Sequence, residues 1–455
     1  MFTKVTLWNF RSFEKIEFDL SKSNNTAKRL AVVYGENGAG KSNLMSAFVL
    51  INELMNTMNV RDSYERFLNQ KAIFADESLD KALRQEILAG IRDMPAIISD
   101  YKMVDSDKPI AAQYEFSLSG STGMYTVEFD NSEITHEHLE YLLNQRRGVY
   151  FDCSADKIAI NNGILDNKAL LSDIKESAKR FWGKHSLLAI ILHELADKAK
   201  SYGEDSISPN FAKVLDAFLT LSCMVKIGNR QWEKMPASSG VLTAPEQGTI
   251  ARVYESQLDI AEHLFTKLFS AINSEISEVS YKREYSEKNL HYQMYIKKKI
   301  AGAVRLLDFQ KESTGTHQVL RAVCYLLSAC MGKTIVLDEA DSGIHDILFQ
   351  KIIQEVSPYI TGQVIVSTHN TMLMLADFAR DATYILSEED NGNRIVRCVS
   401  DSERRIYLNN NVRSKYLNNE YGGLPEVKPI DFESLIKYLK DESFGTLSEI
   451  IKASG

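Results

Sequence analysis

Residues 35–42 carry the clearest chemistry in this sequence of 455 residues. Gly35, Glu36, Asn37, Gly38, Ala39, Gly40, Lys41 and Ser42 fit the pattern G-x-x-x-x-G-K-[ST]. Glycines at these positions let the backbone wrap an anion with its N–H groups turned inward. A helix that begins at the lysine adds the positive end of its dipole. Lys41 is then placed to reach the β- and γ-phosphates of a nucleotide, Ser42 to hold Mg²⁺, and Asn43 to flank them in the first turn. The competing reading is a glycine-rich turn with an accidental lysine. It has to explain away the apolar run before the loop and the helical spacing after it.

Three further stretches supply the groups that act on a bound triphosphate. In "TIVLDEADSGIHD" an apolar run ends at Asp338 and Glu339. Asp338 is placed to hold Mg²⁺, directly or through water, the alternative for the acidic pair being a plain strand end that faces solvent. Glu339 is a general base or a residue that orients the attacking water. In "VIVSTHN" a second apolar run ends near His369, where a neutral imidazole could bond the γ-phosphate or the water. In "DFQKESTGTHQVLRAVCYLL", Ser313, Thr314, Gly315 and Thr316 precede helical spacing. Small residues there free the first N–H groups of the helix for an anion. An ordinary Ser/Thr cap is the plainer account of the same turn.

These residues need strands and helices to hold them. "LAVVY" reads as a buried strand leading into the glycine loop, and Leu44, Ala47, Phe48, Ile51, Leu54 and Met55 lie on one face of the helix that follows. "KTIVLDEA" and "QVIVSTHN" read as two more buried strands. In an open α/β sheet, ligands gather at the carboxyl ends of the strands. Residues 1–20 alternate as two short strands, and "AAQYEFSLSG" with "GMYTVEFDN" forms a hairpin. A helix is expected within 76–100. Residues 131–275 read as a mostly helical insertion, and 276–455 return to strands and helices. The expected class is α/β, with 1–130 and 276–455 forming one head and 131–275 inserted between them.

Composition narrows the setting. Charged residues make up 25% and apolar residues 44% of the chain, a folded-protein balance, and the net charge of -8 does not suggest a nucleic-acid binder overall. The five cysteines show no C-x-x-C pairing and no regular spacing, which argues against a disulfide framework or a zinc site and fits a reducing compartment. The longest apolar run, "LLAIIL" at 187–192, is too short to cross a bilayer. The expected location is the cytoplasm, without a membrane partner.

The order of glycine loop, S-x-G-T helix, acidic strand and histidine strand resembles the ABC-class ATPases, which include SMC proteins, RecF and the RecF-like AAA-type ATPases. That resemblance implies an ABC-ATPase head: a P-loop NTPase with a mixed sheet and flanking helices. It implies ATP and Mg²⁺ as ligands and a homodimer of heads. Ser313, Thr314, Gly315 and Thr316 then form a signature that covers nucleotide bound to the other subunit. Ser342, Gly343 and His345 take the D-loop position, and His369 becomes the switch histidine. The start "LWNFRSFE" is similar to RecF and SMC heads, which would bring Arg11 toward the phosphates; a surface arginine is the alternative. Gln113 is a candidate for the glutamine loop, with a plain strand residue as the alternative. The signature departs from L-S-G-G-Q at Thr314 and Thr316.

Transporter domains lack so long a stretch between glycine loop and signature, and SMC proteins carry hundreds of coiled-coil residues there. Zinc-hook ATPases have C-x-x-C at the apex. ATPases with a Toprim nuclease behind the head need more than the 86 residues that follow His369. "RIYLNNNVRSKYLNNEYGGLPEV" resembles the C-terminal part of RecF-like ATPases in bacterial anti-phage operons, among them the ATPase subunits of the PARIS defence system. That family implies a scaffold and sensor that oligomerises further. It sequesters a separately encoded, toxic Toprim-type nuclease effector until a phage trigger protein releases it. The alternative function is a RecF-like DNA-binding repair ATPase. Lys282, Arg283, Lys297–Lys299 and Arg305, with Tyr281, Tyr285, Tyr292 and Tyr295, could line a DNA groove or simply alternate on a half-buried sheet. "HEHLE", at 136–140, has neither zincin spacing and reads as a solvated helix start.

Overall fold

The computed structural model describes residues 1–22, 26–71, 92–202, 207–235, 237–389, 391–402, 411–425, 431–434 and 436. Its centre is a seven-stranded sheet in the order Arg230–Lys234, Ser222–Ile227, Thr334–Leu337, Gln363–Ser367, Leu30–Tyr34, Thr383–Glu388, Arg394–Cys398. The five inner strands run parallel and each edge strand is antiparallel to its neighbour. Every residue of Leu30–Tyr34, Thr334–Leu337 and Gln363–Ser367 is buried. That is why these strands read as unbroken apolar runs: a parallel sheet is covered on both faces. Leu337 pairs with Val366 and Val366 with Val32, so the three strands end on one edge. The glycine loop, the acidic pair and His369 all leave from that edge.

A second, antiparallel sheet runs Lys157–Ile160, Arg146–Ser154, Ile134–Leu143, Ser121–Phe129, Ile110–Leu118, Phe2–Phe10, Phe13–Asp19. The helix Lys41–Lys71 packs against it: Tyr114 Oη donates to the carbonyl of Ala47 at 2.6 Å, and the rings of Phe2 and Phe48 meet edge to face at 5.2 Å. The wholly buried Gln363 ties the two sheets together. Its amide nitrogen donates to Phe2 O at 2.9 Å and its amide oxygen accepts from Phe2 N at 2.8 Å. A third sheet holds Gln247–Ala251, Asn289–Ile300, Ile276–Tyr285 and Ala303–Asp308, with the helix Ser256–Ile272 packed on it. The α/β class, with a mixed sheet and flanking helices, is the one expected.

Residues 131–275 differ from the helical expectation. They do contain the helices Lys168–Phe181, Leu187–Tyr202, Pro209–Leu219 and Ser256–Ile272. They also give three strands to the antiparallel sheet and two to the central one. The stretch is therefore woven into the head as well as inserted in it. The physical reason lies at Glu137, which faces inward in step with Leu139 and Tyr141 while His136 and His138 face the other way. The alternation holds from His136 to Leu142, but a charged residue takes an inward position, so hydropathy hides it. The fully buried Glu137 accepts from Tyr125 Oη at 3.0 Å, Trp182 Nε1 at 3.0 Å and Leu187 N at 2.7 Å. Burial pushes its carboxyl up to about 7 even though all three donors favour the ionised form.

The chain divides into a unit of Met1–Gly423 and a unit of Leu424–Gly455. In the second, helical residues are described at 432–434 and 436, and most of the stretch "FESLIKYLKD" lies outside the described residues. The same holds for 76–91 of the helix expected within 76–100. Its described end is the helix Met94–Tyr101, capped by Asp93. Of the tail stretch 405–427, the residues 405–410, 426 and 427 lie outside, and Val412–Leu417 is helical. Among the described residues no helix is long and apolar enough to cross a membrane.

Candidate nucleotide site

The glycine loop joins Leu30–Tyr34 to the helix that begins at Lys41. Gly38 has φ 85° and Gly40 has φ 107°, both in the region that side chains avoid. A Cβ at Gly40 would also sit 2.9 Å from the ring of Phe13. Only 8% of Lys41 is exposed, and its ammonium donates to the carbonyls of Gly35 at 2.8 Å and Glu36 at 3.1 Å. Burial lowers its pKa, and Asp338, Glu339, Glu36 and Asp341 pull it back up. A buried cation held, among the described residues, by its own loop's carbonyls, with a carboxylate cluster nearby, suits a polyanion arriving with a divalent metal. Ser42 follows in the first helical turn, and Asn37 and Gly38 are exposed at the mouth of the loop.

Asp338 is 4% exposed. Its Oδ1 accepts from Ser367 Oγ, and its Oδ2 from Lys226 N at 3.3 Å. A buried carboxylate beside the Ser367 hydroxyl, close enough to Lys41 to shift it, fits a place near Mg²⁺. Glu339 sits at φ 48°, an unusual conformation for glutamate. Its backbone N–H donates to Ser367 Oγ at 2.9 Å, and its carboxylate forms an ion pair with Lys226. His369 is exposed on the same edge. Partial burial and then Lys41 lower its pKa, against Asp341, Glu339 and Asp338. The imidazole is thus held toward its neutral form, able to accept as well as donate. The shared electrostatic partners gather Lys41, Asp338, Glu339, Asp341 and His369 into one cluster.

The S-x-G-T turn lies at the head of the helix Thr314–Cys330. Ser313 Oγ accepts from Thr316 N at 3.2 Å, and Thr316 Oγ1 donates to Glu312 at 3.2 Å. Ser313 and Thr314 are exposed. Gly315 packs against the D-loop segment: a Cβ there would be 2.9 Å from the carbonyl of Gly343, which itself has φ 77°. Exposed Ser342 donates its N–H to Glu339 O at 2.9 Å, and His345 caps the helix Asp346–Val356. The turn and the D-loop therefore form one outward-facing surface, linked through the D-loop to the carbonyl of Glu339. The side chains of Ser313 and Thr316 bond within the turn and to Glu312 rather than to the glycine loop of the same chain.

Arg11 is not a plain surface arginine. It has φ 52°, lies over the ring of Tyr101 at 5.2 Å and donates to Asn43 Oδ1 at 3.3 Å. Burial lowers its pKa. Asn43 Nδ2 also donates to Ser12 Oγ at 2.8 Å, so this turn is pinned to the first turn of the glycine-loop helix. Arg11, Ser12, Asn43, Asp100, Lys102 and Arg230 line a cavity of about 740 Å³. Gln113 sits in mid-strand with its amide toward Glu115 at 3.4 Å, as an ordinary strand residue.

Sequence reasoning missed Lys226, Ser367 and Asp341. Ser367 lies inside a stretch already singled out and was legible as the polar residue closing a buried strand. Lys226 is separated from Glu339 by 113 residues, and no local pattern connects them. On the basic strand pair, Lys282 pairs with Glu284, Lys297 with Glu278, Lys298 with Glu312, and Arg283 with Glu255, Asp259 and Glu262. Tyr281 and Tyr292 are buried. The alternation serves a half-buried sheet, and carboxylates offset much of its charge.

A family model described as "AAA domain, putative AbiEii toxin, Type IV TA system" matches residues 30–376. No curated protein matches the chain. Solved structures align with it at low identity. One is an SMC head bound to the C-winged helix domain of ScpA, at 13% identity over 88% of this chain and 99% of that chain, TM-score 0.43. Another is the SMC head domain from Thermotoga maritima, at 16% identity over 88% and 98%, TM-score 0.37. The recombination mediator protein RecF aligns at 11% identity over 88% and 98%, TM-score 0.35.

Proposed function

Because this chain belongs to the family described as AAA domain, putative AbiEii toxin, Type IV TA system, we propose that it binds and hydrolyses ATP as the scaffold and sensor of an anti-phage defence system. The observation that carries the ATPase reading is the single sheet edge on which Lys41, Asp338, Glu339 and His369 meet. On binding, the triphosphate takes over the Lys41 ammonium from the carbonyls of Gly35 and Glu36, and the backbone of 35–42 encloses it. Glu339 orients the attacking water or takes its proton, and His369 bonds the γ-phosphate or the water. Ser42 and Asp338 would hold Mg²⁺, which when bound offsets phosphate charge. Ser313, Thr314, Gly315 and Thr316, with Ser342, Gly343 and His345, close the site of a second copy.

The defence reading rests on the Type IV TA description of the family and on the tail's resemblance to AriA, the ATPase subunit of PARIS. In this reading the protein is cytoplasmic, its heads dimerise and assemble further, and it holds a separately encoded Toprim-type nuclease until a phage protein releases it. The ion pairs on the basic strands weigh against DNA as its principal ligand. Co-expression with the neighbouring reading frame tests the proposal. A stable complex that protects cells from phage is expected. A chain that purifies alone and shows DNA-stimulated, salt-sensitive ATPase instead would replace this reading with the RecF-like one.

A further inference from the structure

The "HEHLE" segment lies on the strand Ile134–Leu143, where alternate residues share a face. His136 and His138 therefore point together, away from buried Glu137. The neighbouring strands add to the same face. His138 pairs with Asp152 on one side, and His136 pairs with Glu128 on the other. His136 Nε2 is 3.0 Å from Asp152 Oδ1, His138 Nδ1 is 3.2 Å from that oxygen, and Glu128 Oε1 is 3.7 Å from His136 Nδ1. The nearest ligand atoms of His136, His138 and Asp152 all lie within 4.8 Å of one another.

Donors around a tetrahedral zinc ion, with bonds of 2.0–2.1 Å, stand about 3.3 Å apart. The two spacings to Asp152, 3.0 and 3.2 Å, are close to that, and the two imidazole nitrogens lie within 4.8 Å of each other. Two imidazoles select a borderline metal over Mg²⁺ or Ca²⁺. Beside the cluster is a cavity of about 560 Å³ that includes His138, Asp152, Lys157, Asn161 and Lys175, leaving one side open for water or an anion. Lys157 now approaches Asp152 Oδ2 at 3.5 Å, but its side chain is 64% exposed and can yield to a metal. Lys175 is turned to Asn162 at 2.8 Å.

We infer that His136, His138 and Asp152 form a site for a divalent transition metal of the zinc class, with Glu128 on the far ring nitrogen of His136 as its orienting partner. The metal clips two adjacent strands of the antiparallel sheet and keeps an open position toward the cavity. This site is separate from the nucleotide edge and does not depend on the proposed function.

Co²⁺ serves as the probe, titrated into untagged, nucleotide-free full-length protein at neutral pH. Visible ligand-field bands typical of nitrogen and oxygen donors should saturate at about one ion per chain, and Zn²⁺ should bleach them. Zn²⁺ should also raise the melting temperature. The double variant His136→Gln/His138→Gln should lose both effects, while Lys41→Ala keeps them. If the double variant does not fold, Asp152→Asn replaces it. A wild-type protein without bands at excess Co²⁺, bands that persist in the folded variant, or a sulfur-to-metal band pointing to cysteine would each overturn the inference.

Discussion

Glu339→Gln should leave ATP binding intact and reduce hydrolysis by about a hundredfold or more, the scale of a lost general base or water-orienting group. The substitution keeps the size of the side chain and its hydrogen-bonding reach. It removes the charge that holds Lys226 and that would draw a proton from water. Glu339 also adopts φ 48° and anchors through its N–H to Ser367, so the backbone fixes the direction of its side chain. Such strain persists only where the surroundings over-determine it. Lys226 holds one oxygen of the carboxylate, which leaves the other to meet water. Single-turnover hydrolysis beside equilibrium nucleotide binding separates the two effects. A parental rate would remove Glu339 from the chemistry.

Lys41→Ala should fail one step earlier, at binding. Charge-assisted hydrogen bonds to phosphate contribute roughly 1.5–3 kcal/mol each, so losing one should lower affinity by about ten- to 150-fold, and hydrolysis with it. The folded state should barely notice, since the ammonium bonds only two carbonyls of its own loop and burial lowers its pKa. Isothermal titration with ATP and Mg²⁺, together with a melting curve, checks both halves. Unchanged affinity would mean that the loop does not bind nucleotide.

The nucleotide edge was legible because its parts are contiguous. Each of Leu30–Tyr34, Thr334–Leu337 and Gln363–Ser367 is an unbroken buried run, and each ends at the residues that bear the chemistry. The strands at 134–160 were not legible, because Glu137 occupies an inward position that three distant donors make tolerable. The same misreading concealed the two histidines: on a helix their spacing means little, and on a strand it places them side by side. Lys226 was hidden for a different reason. It reaches Glu339 through parallel pairing of Ser222–Ile227 with Thr334–Leu337, a long-range register that local patterns do not encode.

The central claim is that one protomer grips the triphosphate while the signature turn of another closes over it. The outward-facing Ser313 and the contact of Gly315 with Gly343 are what this arrangement needs from one head. The most direct measurement mixes two inactive variants, Lys41→Ala and Ser313→Arg, in equal amounts. If the pockets are composite, half of the randomly formed dimers carry one intact site, and the mixture recovers about a quarter of the wild-type ATPase rate. A mixture no faster than the sum of its separate components, with Ser313→Arg still binding ATP and both variants forming dimers, would contradict it.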